Sequence, residues 1–259
     1  MKNKLTLISL VTVVFVFLFA GIIITPYTQT QNKTVLKENS NDDYQNIPIV
    51  DFDESRNALN SEKLSTNETQ VRLKKNGKYN NLNVVWELPS NILKVKPRSA
   101  HWALEVPAIP IEQSDLIIIG TVKTSQAFLS GDKTGVYSEF SVYIEKVLKS
   151  KSLIQEGEQL SVTRLGGAVR FPSGKIQRIE VFKGQEFPKL HEKYIFFLRK
   201  SDIPNDFSIL TAYELHENEV KPLDSIAPYT DYKGAKLTTF LDKIRDEIDK
   251  NNLQKKGEN

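Results

Sequence analysis

The stretch Asp115-Leu116-Ile117-Ile118-Ile119-Gly120-Thr121-Val122-Lys123 reads DLIIIGTVK, a near-continuous apolar run bounded by charges. A strand that faces solvent on one side alternates apolar and polar residues; one with no such alternation is buried on both faces. The run is too short for an ordinary helix and rich in β-branched residues, so it predicts a doubly buried strand over 116–123. Downstream, Tyr137 to Leu148 does alternate, with Phe140, Val142 and Ile144 on one side and Ser141, Tyr143 and Glu145 on the other. The apolar phase then slips to Val147, which predicts a β-bulge or strand end near Lys146. Gln159 to Leu165 forms a further strand, ended by Gly166-Gly167. Val169–Phe171 and Ile176–Phe182 flank Pro172-Ser173-Gly174, turn chemistry that predicts a hairpin. Tyr194 to Leu198 (YIFFL) is another β run, and Ile209–Leu215 with Val220–Leu223 brackets the polar HENE turn as a second hairpin.

Helical periodicity enters this part of the chain only at its end. Leu237, Phe240, Leu241, Ile244 and Ile248 recur every three or four residues in LTTFLDKIRDEIDK, so a helix starting after Gly234 packs its stripe on the sheet. Six or seven strands and one closing helix favour a mainly β domain, a small OB-like barrel or a β-sandwich, over an open parallel sheet. Upstream, Asn83-Val84-Val85-Trp86-Glu87-Leu88 has strand composition, and Val106-Pro107-Ala108-Ile109-Pro110 punctuates the entry. The expected extracytoplasmic β domain therefore runs 82–250, with 251–259 a polar tail.

Residues 26–81 are dominated by Asn, Gln, Ser, Thr, Lys, Asp and Glu and carry too few large apolar side chains for a core. That composition predicts a disordered stalk. The island Ile47-Pro48-Ile49-Val50 interrupts it, either as a docking strand or as local stickiness. Before the stalk, Leu5 to Thr25 is an uncharged apolar stretch of 21 residues. As a helix rising about 1.5 Å per residue, it matches the hydrocarbon core of a bilayer. Lys2 and Lys4 precede it, so residues 1–4 are expected in the cytoplasm, 5–25 as a transmembrane anchor, and the body outside the cell. Secretion after signal cleavage is the alternative localisation. The stretch is longer than a usual signal h-region, and Ala20-Gly21 is the only small pair near its end.

The whole-chain numbers exclude several functions. Among 259 residues, 39% are hydrophobic and 26% charged, and mean hydropathy is −0.36. Formal charge is +3, of which Lys2 and Lys4 supply two, leaving too balanced a body for a phosphate-tracking nucleic-acid surface. No cysteine is present, which removes disulfides, thiolate metal sites, cysteine nucleophiles and a lipidated N-terminal cysteine.

The run Ser114–Val122, then Val142-Tyr143-Ile144-Glu145-Lys146-Val147-Leu148-Lys149, Gly166-Gly167, Tyr194–Leu198 and Tyr232-Lys233-Gly234 before the helix resemble a family of bacterial exported proteins. Their small barrel is similar to the OB fold and to the netrin-like domain of tissue inhibitors of metalloproteinases. The resemblance covers about half the chain and implies architecture and location. Activity does not transfer, because those inhibitors block a metal with an N-terminal cysteine that is absent here.

Candidate chemistry is sparse. Asp51-Phe52-Asp53-Glu54-Ser55 superficially matches the aspartyl-phosphate loop of haloacid-dehalogenase phosphatases, but no βα alternation follows to build the sheet that chemistry needs. His101, His191 and His216 lack short-spaced partners for zinc, and no metal or cofactor is expected. Carboxylate pairs such as Glu139 and Glu145 suit acid–base work but arise by chance in any chain with 32 acids. Tyr137, Tyr143, Arg164 and Arg170 are the candidate ligand face, an aromatic and basic set of the kind OB barrels present; ordinary solvent-side strand positions are the plainer reading. The sequence thus leads to the expectation of a non-catalytic, membrane-anchored binding domain facing outward, with a protein or cell-envelope polymer as ligand. Rival expectations are an extracellular hydrolase with a His and carboxylate site, and a protease-inhibitor-like module.

Overall fold

A computed structural model describes residues 46–53, 66–87 and 106–257. Its elements in chain order are β1 (Ile49–Asp51), α1 (Thr66–Lys78), β2 (Leu116–Leu129), β3 (Val136–Ser150), β4 (Gln159–Leu165), β5 (Gly167–Arg170) and β6 (Ile176–Ile179). There follow β7 (Lys193–Lys200), β8 (Phe207–Leu215), β9 (Glu219–Pro222), a short 3-10 turn (Tyr229–Tyr232), β10 (Ala235–Lys236) and α2 (Leu237–Gly257). The chain is mainly β, as its patterning implies. The expected anchor at 5–25 and the first part of the expected stalk, to residue 45, lie outside the described residues. Among the described residues no helix is long and apolar enough to cross a membrane.

Five strands close into a ring. β2 pairs antiparallel with β3, β3 antiparallel with β4, β4 parallel with β8, β8 antiparallel with β7, and β7 antiparallel back to β2. Closure removes the unpaired edges that an open sheet of these apolar strands would present. β9 and β10 extend the sheet from the far end of β8, and β1, β5 and β6 form a separate three-stranded sheet.

The apolar runs follow from this closure. Leu116, Ile118 and Val122 of β2, Phe140, Val142 and Ile144 of β3, Leu160 and Val162 of β4, and Tyr194, Phe196 and Leu198 of β7 fill one core. Their neighbours Ile117, Ile195 and Phe197 join Tyr213 and Val220 in a second core, which takes Phe240, Ile244 and Ile248 of α2. Strands β2 and β7 are therefore buried on both faces, and the stripe of α2 covers the sheet as its spacing predicts. The register of β2 against β3 shifts at three places, skipping Leu148, then Glu145, then Lys123. These irregularities flank the expected bulge near Lys146 and bend the long pair into the ring. Gly120 sits at one shift because its neighbours leave no room: a Cβ there would lie 2.5 Å from Val142 Cγ1 and 2.6 Å from the Tyr143 carbonyl oxygen.

Both predicted hairpins form, β5–β6 across Pro172-Ser173-Gly174 and β8–β9 across the HENE turn. Gly166 and Gly167, at φ of +102° and +147°, turn the chain from β4 into β5. Three expectations are corrected. Asn83–Trp86 is not a strand: Asn83 stands at φ +53°, and the amides of Val84 and Val85 both donate to the Thr134 carbonyl, whereas successive amides of a strand point to opposite sides. The helix α2 runs on to Gly257 through the expected tail from residue 251, because Asn251 continues the buried row of Ile244 and Ile248. Residues 46–53 and 66–81 of the expected stalk are ordered: β1 pairs in parallel with β5, Ile47 enters the barrel core, and α1 packs on the barrel. Composition missed both because a borrowed backbone ladder and a charged helix face need few apolar side chains.

Candidate functional site

On β3 the even-numbered residues from 136 to 144 are buried in the cores, so the odd-numbered ones face outward. Register carries one outward row across three strands: Glu139 lies opposite Thr163 on β4, and Thr163 opposite Ser208 on β8. Asp206, two residues before Ser208, caps the row. Its carboxylate accepts hydrogen bonds from Ser201 Oγ at 2.7 Å and Thr163 Oγ1 at 3.4 Å, and its backbone amide and carbonyl bond Ile203 and Ser201. The barrel itself therefore places two carboxylates side by side on its outer surface.

α1 crosses this row with its cations. The guanidinium of Arg72 donates to both Glu139 oxygens, at 2.7 and 3.1 Å, and to the Tyr137 hydroxyl at 3.1 Å, while lying 3.7 Å from the centre of the Phe128 ring. Lys75 Nζ sits between Glu139 at 3.1 Å and Asp206 at 3.2 Å. Lys78 Nζ reaches Asp206 at 3.3 Å and Ser208 Oγ at 3.4 Å. The Tyr137 hydroxyl donates to Asn76 Oδ1 at 2.7 Å, and the Tyr79 ring stacks on Tyr137 with centroids 4.4 Å apart. Residues 72, 75 and 76 are i, i+3 and i+4, one helix face continued by Tyr79 in the turn that follows, and its chemistry is charged, amide and phenolic rather than apolar.

The electrostatics follow the burial. Asp206 has a side chain 1% exposed, and burial opposes its charge; the Ser201 hydrogen bond and the Lys75 and Lys78 ammoniums override burial and hold its carboxyl below the usual range. Burial, opposed by the Thr163 hydrogen bond and reinforced by Asp206, pushes Tyr79 up to about 12. Burial also raises Tyr137. Arg72 is raised because Glu139 outweighs its own desolvation. At neutral pH the phenols are thus neutral, with Tyr137 donating to Asn76, and the Asp206 carboxylate is charged.

The four residues of the candidate ligand face do not assemble. Tyr137 belongs to the site but lies fully buried beneath α1. Tyr143, on the same outward side of β3, is 38% exposed with Lys123 Nζ 5.4 Å from its ring. Arg164 is a correction to an exposed basic face. It lies opposite Ser138, an inward position, so it is only 5% exposed and paired with buried Asp224 at 2.5 Å. Arg170 stands on the separate sheet, exposed and 3.0 Å from Asp51. That ion pair occupies the first Asp of the DFDES motif, which lies in the three-stranded sheet. Glu139 and Glu145 serve different partners: Glu145 accepts from Thr121 at 2.6 Å and pairs with Lys193.

His191 is exposed at φ +67° in the turn before β7, and His101 lies outside the described residues. His216 meets a carboxylate, Glu214 Oε1, at 2.8 Å, but in the exposed β8–β9 turn rather than in a pocket. A cleft of about 300 Å³ between residues 107–113 and the end of α2 is lined by Ile109, Ile111, Glu247, Lys250 and Asn251 and contains no histidine. Among the described residues no group of three or more His, Asp or Glu is placed to hold a metal ion. The residues missed in the sequence are Arg72, Lys75, Lys78 and Asp206. The available signal was the three-residue spacing of Arg72, Lys75 and Lys78 upstream of Tyr79. No family model matches the chain, and no curated protein matches it.

Proposed function

We propose that the chain is a non-catalytic binding protein, held to a membrane by residues 5–25, whose outward-facing domain is an OB-like, netrin-like barrel. Counted in chain order, the five ring strands neighbour one another as first, second, third, fifth, fourth and first again. That order and the parallel contact of third and fifth support the OB-like reading. Barrels of this kind use the outer face of the strands equivalent to β3 and β4 for ligands. The observation that carries the binding role is on that face: Asp206, held by Ser201 and Thr163, and Glu139 beside it, flanked by the Phe128 and Tyr137 rings, grip charged groups delivered by another segment. The ligand is a protein or a cell-envelope polymer.

The test combines address and capture. A photo-crosslinking residue replacing exposed Tyr143 in the full-length chain, activated in the native membrane, is expected to give one or a few discrete adducts by mass spectrometry. Protease added to intact cells is expected to degrade the domain. A domain shielded from external protease until the membrane is broken, or a crosslinking pattern identical to that of a position on the β5–β6 hairpin, overturns the reading.

A further inference from the structure

The stripe by which α2 packs on the barrel changes character at its end. Phe240, Ile244 and Ile248 sit in the second core, but the row then passes to Asn251. That residue is only 7% exposed, and its side-chain oxygen Oδ1 meets no hydrogen-bond donor. A buried acceptor without a donor is uncommon, because folding gives up the bond that water supplied. A leucine would continue the apolar row without that loss and with a higher helix propensity. Asn251 also lines the cleft of about 300 Å³ between α2 and residues 107–113. The last torsion of an asparagine is soft, so a modest rotation turns the orphaned oxygen to the opening.

The wall facing α2 is fixed by bonds to the barrel. The Tyr213 hydroxyl donates to the Ala108 carbonyl at 2.7 Å, and the Ser114 hydroxyl to the Pro110 carbonyl at 2.6 Å. The Lys149 ammonium donates to the carbonyls of Ile111 and Ser114, while Val106 and Ile111 are buried in the second core. Across the opening, Glu112 and Glu247 can only accept hydrogen bonds, and the carboxamides of Gln113, Asn251 and Gln254 can do both. Lys250, the cation of the lining set, is paired with Glu247 at 3.2 Å. Ile109 and Ile111 supply an aliphatic side. Anions are disfavoured by the two carboxylates, and a wholly apolar molecule would strip water from the polar groups without replacing its bonds. A compact ring with several hydroxyls and an apolar C–H face satisfies both sides.

We propose that this cleft binds a single pyranose unit, a neutral or amino sugar, with its C–H face on Ile109 and Ile111 and its hydroxyls shared among Asn251, Gln113 and the two carboxylates. The volume stands at the lower end of the range of about 300–1,000 Å³ for small-molecule sites, room for one ring rather than for a threaded chain. None of the lining residues belongs to β3 or β4, so the sugar site stands apart from the binding role proposed for that face.

The test is saturation-transfer difference NMR on the full-length chain in a detergent without a sugar headgroup, with glucose, glucosamine and N-acetylglucosamine as separate probes. At least one is expected to receive transfer, with a Kd of about 1 mM, since the apolar wall is aliphatic. Asn251→Leu is expected to abolish the transfer and to leave urea stability equal or higher, because it removes the orphaned oxygen and prolongs the apolar row. Glu112→Gln, at an exposed position, is expected to weaken binding about tenfold through loss of a charged acceptor. Glucuronate is expected to give no transfer. Methyl glucoside distinguishes the sources of the sugar: retained transfer assigns the site to the end of a glycan, and lost transfer to the free sugar. Absence of transfer to all three probes overturns the proposal. So does transfer of equal strength to the Asn251→Leu chain, or to open-chain sorbitol, either of which marks an adventitious contact.

Discussion

Two helices lie on the barrel, and they are attached by opposite chemistry. α2 presents Phe240, Ile244 and Ile248 to Ile117, Ile195, Phe197 and Tyr213, a dry contact that gains from every apolar area removed from water and is indifferent to ionic strength. α1 presents Arg72, Lys75 and Lys78 to Glu139 and Asp206. There the Coulombic gain is offset by the cost of stripping water from each ion, so net stabilisation is small while the penalty for a mismatch is large. The apolar helix is therefore held by area, and the ionic one by the match of particular charges.

The contrast gives ordered expectations. Phe240→Ala should cost about 3–5 kcal/mol in urea unfolding, with the same value at low and at 1 M salt. Lys75→Ala should cost about 3 kcal/mol, because Glu139 and Asp206 are left facing each other while each keeps one other cation; the loss should shrink in 1 M salt, where the Debye length falls to about 3 Å. Equal salt sensitivity of the two variants would erase the distinction. Arg72→Lys should cost about 1 kcal/mol, through loss of the bidentate bond and the stacking on Phe128, and should leave the urea response of the α2 region unchanged by hydrogen exchange. The smallest effect is with pH. The Asp206 carboxyl is held below its ordinary 3.8, so its contribution is fully present above that value and is lost as pH falls through the depressed folded value. Amide exchange in α1 should accelerate in acid before that in α2, and Asp206→Asn should remove the difference.

The legible parts of the fold share a cause. DLIIIGTVK, YIFFL and the stripe from Leu237 to Ile248 are visible because apolar periodicity records which faces meet other apolar faces. α1 leaves no such record, since Arg72, Lys75 and Asn76 on a helix face look like a solvated surface until the carboxylates that receive them are known. Those carboxylates lie about 65 and 130 residues further on. β1 was half legible: Ile47 and Ile49 showed as an apolar island, but its pairing is a matter of backbone amides that every residue carries. The candidate ligand residues lie apart for a geometric reason. Tyr137 and Arg164 occupy neighbouring registers, yet one points out of the barrel and the other into it, a parity that no composition reveals.

β1 has a mechanical consequence. Tension arriving from residues before Asn46 meets Ile47 in the barrel core and the Pro48 carbonyl on the Ala168 amide, and then Ile49 to Asp51, held by their ladder with β5, by the Phe52 amide on the Arg170 carbonyl and by the Asp51–Arg170 pair. β1 is no strand of the closed ring, so peeling it away breaks no ladder of the ring but draws Ile47 out of the core. A tug would next meet the α1 ion pairs, giving two latches in series that release slack before any strand of the barrel is strained.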